Sequence, residues 1–184
     1  LQAELLLRRY ECVFSKSEYD IGRTNLVEMH LDTGNNRPIR QALRRHPVAL
    51  LEEIDRQVNQ MLEHGLIEPA ASPWASNVVL VRRKDGQLRF CVDYRAANSC
   101  TYKDAYPLPN IGVCLDALNG ASWFTTLDLR AGYHNISIAE TSRDVTAFIT
   151  RKGIWRYKVV PFGLTTAPAV MQRCMDLVLT GLTL

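Results

Sequence analysis

The sequence predicts an α+β fold, with a mainly antiparallel sheet packed by helices. Strand candidates are joined by tight turns, at Lys84-Asp85-Gly86-Gln87 and at Arg151-Lys152-Gly153, so neighbours pair as hairpins rather than through helical crossovers. Helical periodicity appears before, between and after these hairpins. No internal repeat, low-complexity tract or flexible linker interrupts the 184 residues, a length that suits one domain or two lobes sharing a core.

Residues 1–46 read as a polar, turn-rich arm with one short strand candidate, Leu26 to Leu31. Pro47 can open a helix, because a first-turn proline sacrifices no helical hydrogen bond. Leu50, Leu51, Ile54, Val58, Met61 and Leu62 then recur at helical spacing up to Gly65, a natural C-terminal stop. The next unit is a hairpin of Asn77–Arg82 and Leu88–Asp93, with Asp85-Gly86 as its turn signal. A second helix is expected over Asn110–Leu118, ending at Asn119-Gly120. Ser122 to Thr126 is rich in aromatic and β-branched residues and predicts a strand leading into Asp128, returned by Ile136-Ser137-Ile138. A further hairpin is expected from Val145–Thr150 and Ile154–Val160, then a tight bend at Pro161-Phe162-Gly163. Thr166 can cap a last helix with Pro168 in its first turn.

Composition narrows the function classes. A 47% hydrophobic and 22% charged chain is ordinary for a globular protein, and no apolar run is long enough to span a membrane. The N-terminal LQAELLLRRYE mixes charge with its leucines and does not read as a signal peptide; a start at Leu1 reads as a piece of a longer polypeptide. The five cysteines are scattered, odd in number and never paired as CxxC, which suggests reduced, cytosolic thiols. The four histidines are equally dispersed and suggest no zinc site. The net charge of +3 is mild, but its distribution is not even. Basic residues gather at Arg37–His46, at Arg82, Arg83, Lys84 and Arg89, and at Arg151–Lys158, interleaved with Tyr94, Tyr102, Trp155 and Tyr157. Each cluster alone reads as a solvated loop; together they suit a surface that tracks a nucleic-acid backbone.

Three constellations carry chemistry. Asp32-Thr33-Gly34 matches the aspartic-protease triplet, but polar neighbours on both sides favour a simple turn. Arg83, Lys84 and Arg89 sit on or beside one hairpin tip, where guanidinium forks and an ammonium could close on a polyphosphate; a charged turn kept polar for solubility is the alternative. Asp128, flanked by Leu127 and Leu129, is sharper. An acid at the end of a central strand is costly unless paired or bound to a metal, whereas on an edge strand it could simply face solvent.

These pieces occur in one order: VVLVRRKDGQLRFCVDYRAAN, YPLPNI, FTTLDLRAGYHNISI, then TAFITRKGIWRYKVVPFGLTTAPAVMQ. That order and spacing resemble the reverse transcriptases of gypsy-type LTR retrotransposons, and the likeness extends through HLDTGNNRPIRQALRRHP and EHGLIEPAASPWAS. The resemblance implies a right-hand polymerase fold, with fingers over 47–103 and 138–161, a partial palm over 104–137 and 162–184, and the arm at 1–46. It implies that Asp128 is the first catalytic acid and a Mg²⁺ ligand, Mn²⁺ being able to substitute, with the Leu129 carbonyl as a further ligand. Tyr133 would be the aromatic gate that excludes a ribose 2′-hydroxyl, and Gly132 would let a ligand approach the backbone. Arg83, Lys84 and Arg89 would grip the incoming triphosphate, and Phe162 and Gly163 would form the bend beside the nucleotide pocket. Implied partners are a deoxynucleotide (dNTP), an RNA or DNA template-primer duplex, and downstream thumb and RNase H regions; no membrane is expected. The implied location is the cytoplasm or virus-like particles.

The sequence departs from the family's usual residues at Asn135 (Gln), Val145 (Lys), Thr166 (Asn) and Met171 (Phe). The family's remaining catalytic acids come as Tyr-x-Asp-Asp after the last helix, and 184 residues do not reach that motif. The expectation is therefore an RNA-directed DNA polymerase region inactive by itself, or alternatively a non-catalytic nucleic-acid-binding remnant.

Overall fold

The computed structural model describes residues 2–182. Its largest element is a five-stranded mixed sheet in the order β2-β7-β6-β3-β4. These strands are β2 (Ile67–Pro69), β3 (Ser76–Arg82), β4 (Leu88–Val92), β6 (Phe148–Thr150) and β7 (Gly153–Tyr157). The β3–β4 and β6–β7 pairs are antiparallel hairpins, and β3 meets β6 in parallel. At the β3–β4 tip, Gly86 takes φ +84°, which an L side chain rarely adopts.

Helix α2 (Val48–Glu63) packs on this sheet through Ile54, Val58 and Met61, the positions picked out by their spacing. Pro47 is its N-cap, and Gly65 follows with φ +65°. On the same helix Asp55 is buried, and its carboxylate accepts from Arg151 Nε at 3.0 Å. Burial alone would raise that carboxyl, but hydrogen bonds and charge from Arg151 and Lys152 hold it below the ordinary range.

The arm is more ordered than its composition suggests. It begins with α1 (Gln2–Arg9), which sequence reasoning missed, and carries β1 (Thr24–Met29). β1 pairs in parallel with β5 (Ile136–Ile138), a two-stranded sheet that α5 (Ala167–Leu179) packs against. Further along, Asn77 on β3 clamps the arm: its amide donates to Ala42 O at 2.9 Å and Gln41 Oε1 at 3.1 Å, and its Oδ1 accepts from Arg44 N at 2.9 Å. Asp32-Thr33-Gly34 is a turn, the Asp32 carboxylate accepting from the Gly34 amide at 2.8 Å.

Several expectations need correction. Ser122–Thr126 forms no strand: residues 121–129 lack regular structure and are exposed, Trp123 to 94%. A strand needs a hydrogen-bonding neighbour, and no described residue offers one here. Asp128 consequently lies in exposed, irregular chain, not at the end of a buried strand. Val145 and Thr146 belong to a 3₁₀ segment, Glu140–Thr146, rather than to the β6–β7 hairpin, because the Thr146 side chain turns in to accept from Tyr157 N at 2.9 Å. Thr166 precedes α5 with its hydroxyl buried and unpartnered, so it caps nothing through its side chain. The expected helix near 110 is present as α4 (Ile111–Ala117), capped by Asn110 accepting from Gly112 N, though it buries no residue. A short helix, α3 (Arg95–Cys100), follows β4.

Candidate nucleotide and nucleic-acid cleft

A cleft of about 610 Å³ opens between the β3–β4 hairpin, the arm and the segment after Asp128. From the sequence-predicted set it gathers Arg83, Arg89, Asp128, Phe162 and Gly163. Lys84, Leu129, Gly132 and Tyr133 do not line it. The space a Gly132 side chain would take is met by the Met171 methyl, 3.2 Å from an added Cβ, so this glycine serves packing rather than ligand approach. Tyr133 stands behind the wall, its ring edge-on to Phe162 at 5.4 Å between centroids.

Phe162 is the hub of the wall. Tyr133 and His134 both meet it edge-on, His134 at 5.3 Å, and the Arg89 guanidinium lies 4.8 Å over its ring. A cation over an aromatic face is attracted by the ring quadrupole, so Arg89 is held at the cleft without an acid partner. Neither Arg83 nor Arg89 forms an ion pair among the described residues, and both charges remain available to an anion.

The bend carrying Phe162 is fixed from below. Gly163 takes φ +96°, and an added Cβ would approach the buried Tyr94 ring at 3.6 Å. Asn98 on α3 donates to Gly163 O at 2.8 Å and accepts from Thr165 N at 3.0 Å. Tyr94 itself donates to the carbonyl of the buried Thr146 at 2.8 Å, and burial pushes its phenol well up.

Sequence reasoning missed the other side of the cleft. Glu18, Tyr19 and Ile21 from the arm line it, as do Arg130, Ala131 and His134. Tyr19 is held by stacking on His64 at 4.1 Å and by its hydroxyl donating to Gln60 at 3.3 Å. No local motif announces these arm residues; they reach the cleft because β1 pairs with a strand more than 100 residues away in sequence. Burial pushes the His134 imidazole below its ordinary value, outweighing the hydrogen bond of Nδ1 with Val160 O at 3.0 Å. That bond requires the proton on Nδ1, the carbonyl being an acceptor only.

A divalent cation would find few ligands. Among the described residues no group of three or more His, Cys, Asp or Glu converges. The cleft's acids are Asp128 and Glu18, and the Leu129 carbonyl accepts no hydrogen bond among the described residues. A carboxylate and a backbone carbonyl are suitable hard oxygen donors for Mg²⁺, which is usually held by one or two carboxylates plus substrate phosphates. The set fits one edge of such a site, not a complete cage.

The family model described as "Reverse transcriptase (RNA-dependent DNA polymerase)" matches residues 81–184. The Retrovirus-related Pol polyprotein from transposon 297 of Drosophila melanogaster is 37% identical over 184 residues, covering 96% of this chain and 17% of its own length. That from transposon opus, also of Drosophila melanogaster, is 34% identical over 176 residues, covering 93% and 18%. Among solved structures, the Prototype Foamy Virus protease-reverse transcriptase (CSH mutant) superposes with a TM-score of 0.88 at 22% identity, over 99% of this chain and 24% of that one. The foamy viral enzyme in complex with an RNA/DNA hybrid gives 0.82 at 20% identity, over 98% and 24%. These likenesses establish the α+β polymerase fold. The chain spans less than a fifth of the Drosophila relatives it matches.

Proposed function

The chain belongs to the reverse transcriptase (RNA-dependent DNA polymerase) family, among the gypsy-type transposon Pol polyproteins, and from that premise we propose that its cleft is the dNTP side of a template-directed polymerase. The observation that carries this reading is the convergence of Arg83, Arg89 and Asp128 on one cleft, where guanidinium groups unpaired among the described residues, that of Arg130 included, share the lining with an acid and an aromatic wall.

In the complete reaction a primer 3′-hydroxyl attacks the α-phosphorus of a dNTP. One P–O bond forms, the bond to the β-phosphate bridge breaks, and pyrophosphate leaves. Arg83 and Arg89 bind and orient the triphosphate by charge-assisted hydrogen bonds, Arg89 exchanging its seat on Phe162 for phosphate oxygens. Lys84, one residue beyond on the same tip, adds a point charge. Asp128 and the Leu129 carbonyl would hold Mg²⁺, or Mn²⁺ in its place, which when bound neutralises phosphate charge and activates the hydroxyl. Phe162 and Gly163 shape the base and sugar side of the pocket, and Tyr133, behind the wall, bears on the room at the sugar C2′ through Phe162.

Chemistry by this chain alone is a separate matter. Two-metal catalysis places the ions about 3.5–4 Å apart, and the described residues bring no third carboxylate to the cleft. That observation favours a second reading, in which residues 2–182 bind nucleotide and template-primer without turning them over. RNA/DNA and duplex DNA occupy the foamy viral enzymes of the same fold. The arm and β3–β4 cations support nucleic acid as a partner here, whereas Arg151, Lys152 and Arg156 are taken up by Asp55, Glu68, Glu140 and Asp144.

The test is a titration of the chain with a fluorescent dATP analogue and Mg²⁺, in parallel with a template-primer duplex at several salt concentrations. Nucleotide binding that is lost in Arg83→Ala/Arg89→Ala supports the cleft assignment. Duplex binding that weakens steeply with salt supports a backbone-tracking surface. Nucleotide affinity equal in the parent and double variant rejects the reading.

A further inference from the structure

Between Asp128 and Tyr133 the chain makes a turn whose conformation is unfavourable by itself. Ala131 takes φ +46° and ψ +51°, the only non-glycine residue with positive φ among the described residues. Such strain persists where neighbouring contacts over-determine the backbone, and the side chain that does so here is Asn135. Its Nδ2 lies 3.1 Å from Arg130 O, 3.4 Å from Ala131 O and 3.2 Å from Gly132 O, so two amide hydrogens are shared among three consecutive carbonyls. Its Oδ1 faces Gly22 of the arm, where an added Cβ would come within 3.1 Å. The adjacent Arg23 donates to His134 O at 2.8 Å, and His134 N returns to Ala131 O at 2.7 Å.

We propose that Asn135 is a positioning residue for the cleft: it holds the Arg130–Gly132 turn in its left-handed form and thereby sets the Asp128 acid and the Tyr133 ring relative to each other. The proposal rests on the nucleotide reading of the cleft. The clamp also sorts the backbone oxygens. Arg130 and Ala131 line the cleft beside Asp128, yet their carbonyls, with that of Gly132, are directed to the Asn135 amide. Leu129 O is the one carbonyl of the 129–132 run that accepts no hydrogen bond within the described residues, and so the one whose lone pairs the turn does not use. Serine or threonine would be too short to reach three carbonyls. Leucine would match the shape of asparagine and supply no donor.

Two measurements test this and keep it separable from the nucleotide reading. The first is amide hydrogen exchange of the chain itself. Asn135→Leu should speed exchange of the His134 amide, which donates to Ala131 O at 2.7 Å, about tenfold, the factor commanded by a hydrogen bond of ordinary net strength, with α2 unaffected. Asn135→Ala is the second variant should the leucine perturb packing. The second measurement is steady-state extension by the reverse transcriptase that carries this chain. Asn135→Leu should lower kcat about tenfold with KM for dNTP little changed, and should narrow the preference for dNTP over rNTP. Ala131→Gly in that background should recover most of the loss, because glycine holds a positive φ without a clamp. Unchanged exchange of the His134 amide in both variants, or a kcat loss that Ala131→Gly does not recover, overturns the proposal. If exchange responds while the parental enzyme shows no nucleotide-dependent extension, the clamp stands and the nucleotide reading falls.

Discussion

Replacing Tyr94 by Phe deletes one oxygen at the base of the cleft. The hydroxyl is buried and donates at 2.8 Å to the carbonyl of Thr146, a residue with no exposed surface. No water can replace that donor without opening the core, so the change costs the desolvation of an unsatisfied carbonyl, about 1–3 kcal/mol. For a domain of this size each kcal/mol lowers the thermal midpoint by roughly 2–4 °C, giving a drop of roughly 2–12 °C. The same deletion at Tyr157 is the internal comparison. Its hydroxyl is equally buried but meets only the Met61 thioether at 3.5 Å, a weak acceptor, so Tyr157→Phe should cost under about 1 kcal/mol. The assay is thermal unfolding of the two variants and the parent, followed by near-ultraviolet circular dichroism. Because Tyr94 also packs beneath Gly163, its loss should loosen the Phe162 bend and weaken nucleotide binding in the cold, well below the midpoint. A Tyr94→Phe midpoint within about a degree of the parent, or equal losses in the two variants, would refute the reasoning.

Other outcomes follow from the same geometry. Tyr133→Ala should admit ribonucleotides, read as a fall in the dNTP-to-rNTP ratio of kcat/KM; an unchanged ratio removes the gate assignment. Asp55→Asn should cost about 1–2 kcal/mol at neutral pH, less than a fully buried pair because Arg151 and Lys152 are nearly half exposed. Since the Asp55 carboxyl is lowered in the fold, its contribution is complete above the ordinary carboxylate value and disappears as pH falls through the folded value. The gap between parent and variant should therefore close in acid below about pH 4. Gly34→Ala forces a side chain onto a φ of +52° and brings its Cβ to 2.9 Å from the Tyr102 ring, for a loss of about 1 kcal/mol or more by urea denaturation.

What could be read from the sequence were the elements whose physics is local. Helix α2 follows from the spacing of Ile54, Val58 and Met61, and the β3–β4 hairpin from Asp85-Gly86 between alternating runs. Arg83, Arg89, Asp128, Phe162 and Gly163 were all in the predicted site set and do line one cleft, though their roles there are proposed. What could not be read depends on distant partners. Ser122–Thr126 has strand propensity and forms no strand, because propensity supplies no neighbour to bond with. Glu18, Tyr19 and Ile21 carry no motif and reach the cleft through the parallel β1–β5 pairing. The left-handed Ala131 has no local signal either, since glycine or asparagine would be expected there. Asn135, four residues on, compensates for it through contacts that only the folded turn displays.

Primer extension by the reverse transcriptase carrying this chain asks whether Asp128 anchors metal-dependent nucleotidyl transfer, as proposed. Asp128 is exposed and makes no hydrogen bond or ion pair within the described residues, so Asp128→Asn should leave the thermal midpoint and duplex affinity unchanged. On this account the variant binds template-primer and gives no extension product with either Mg²⁺ or Mn²⁺. Extension at the parental rate would contradict it.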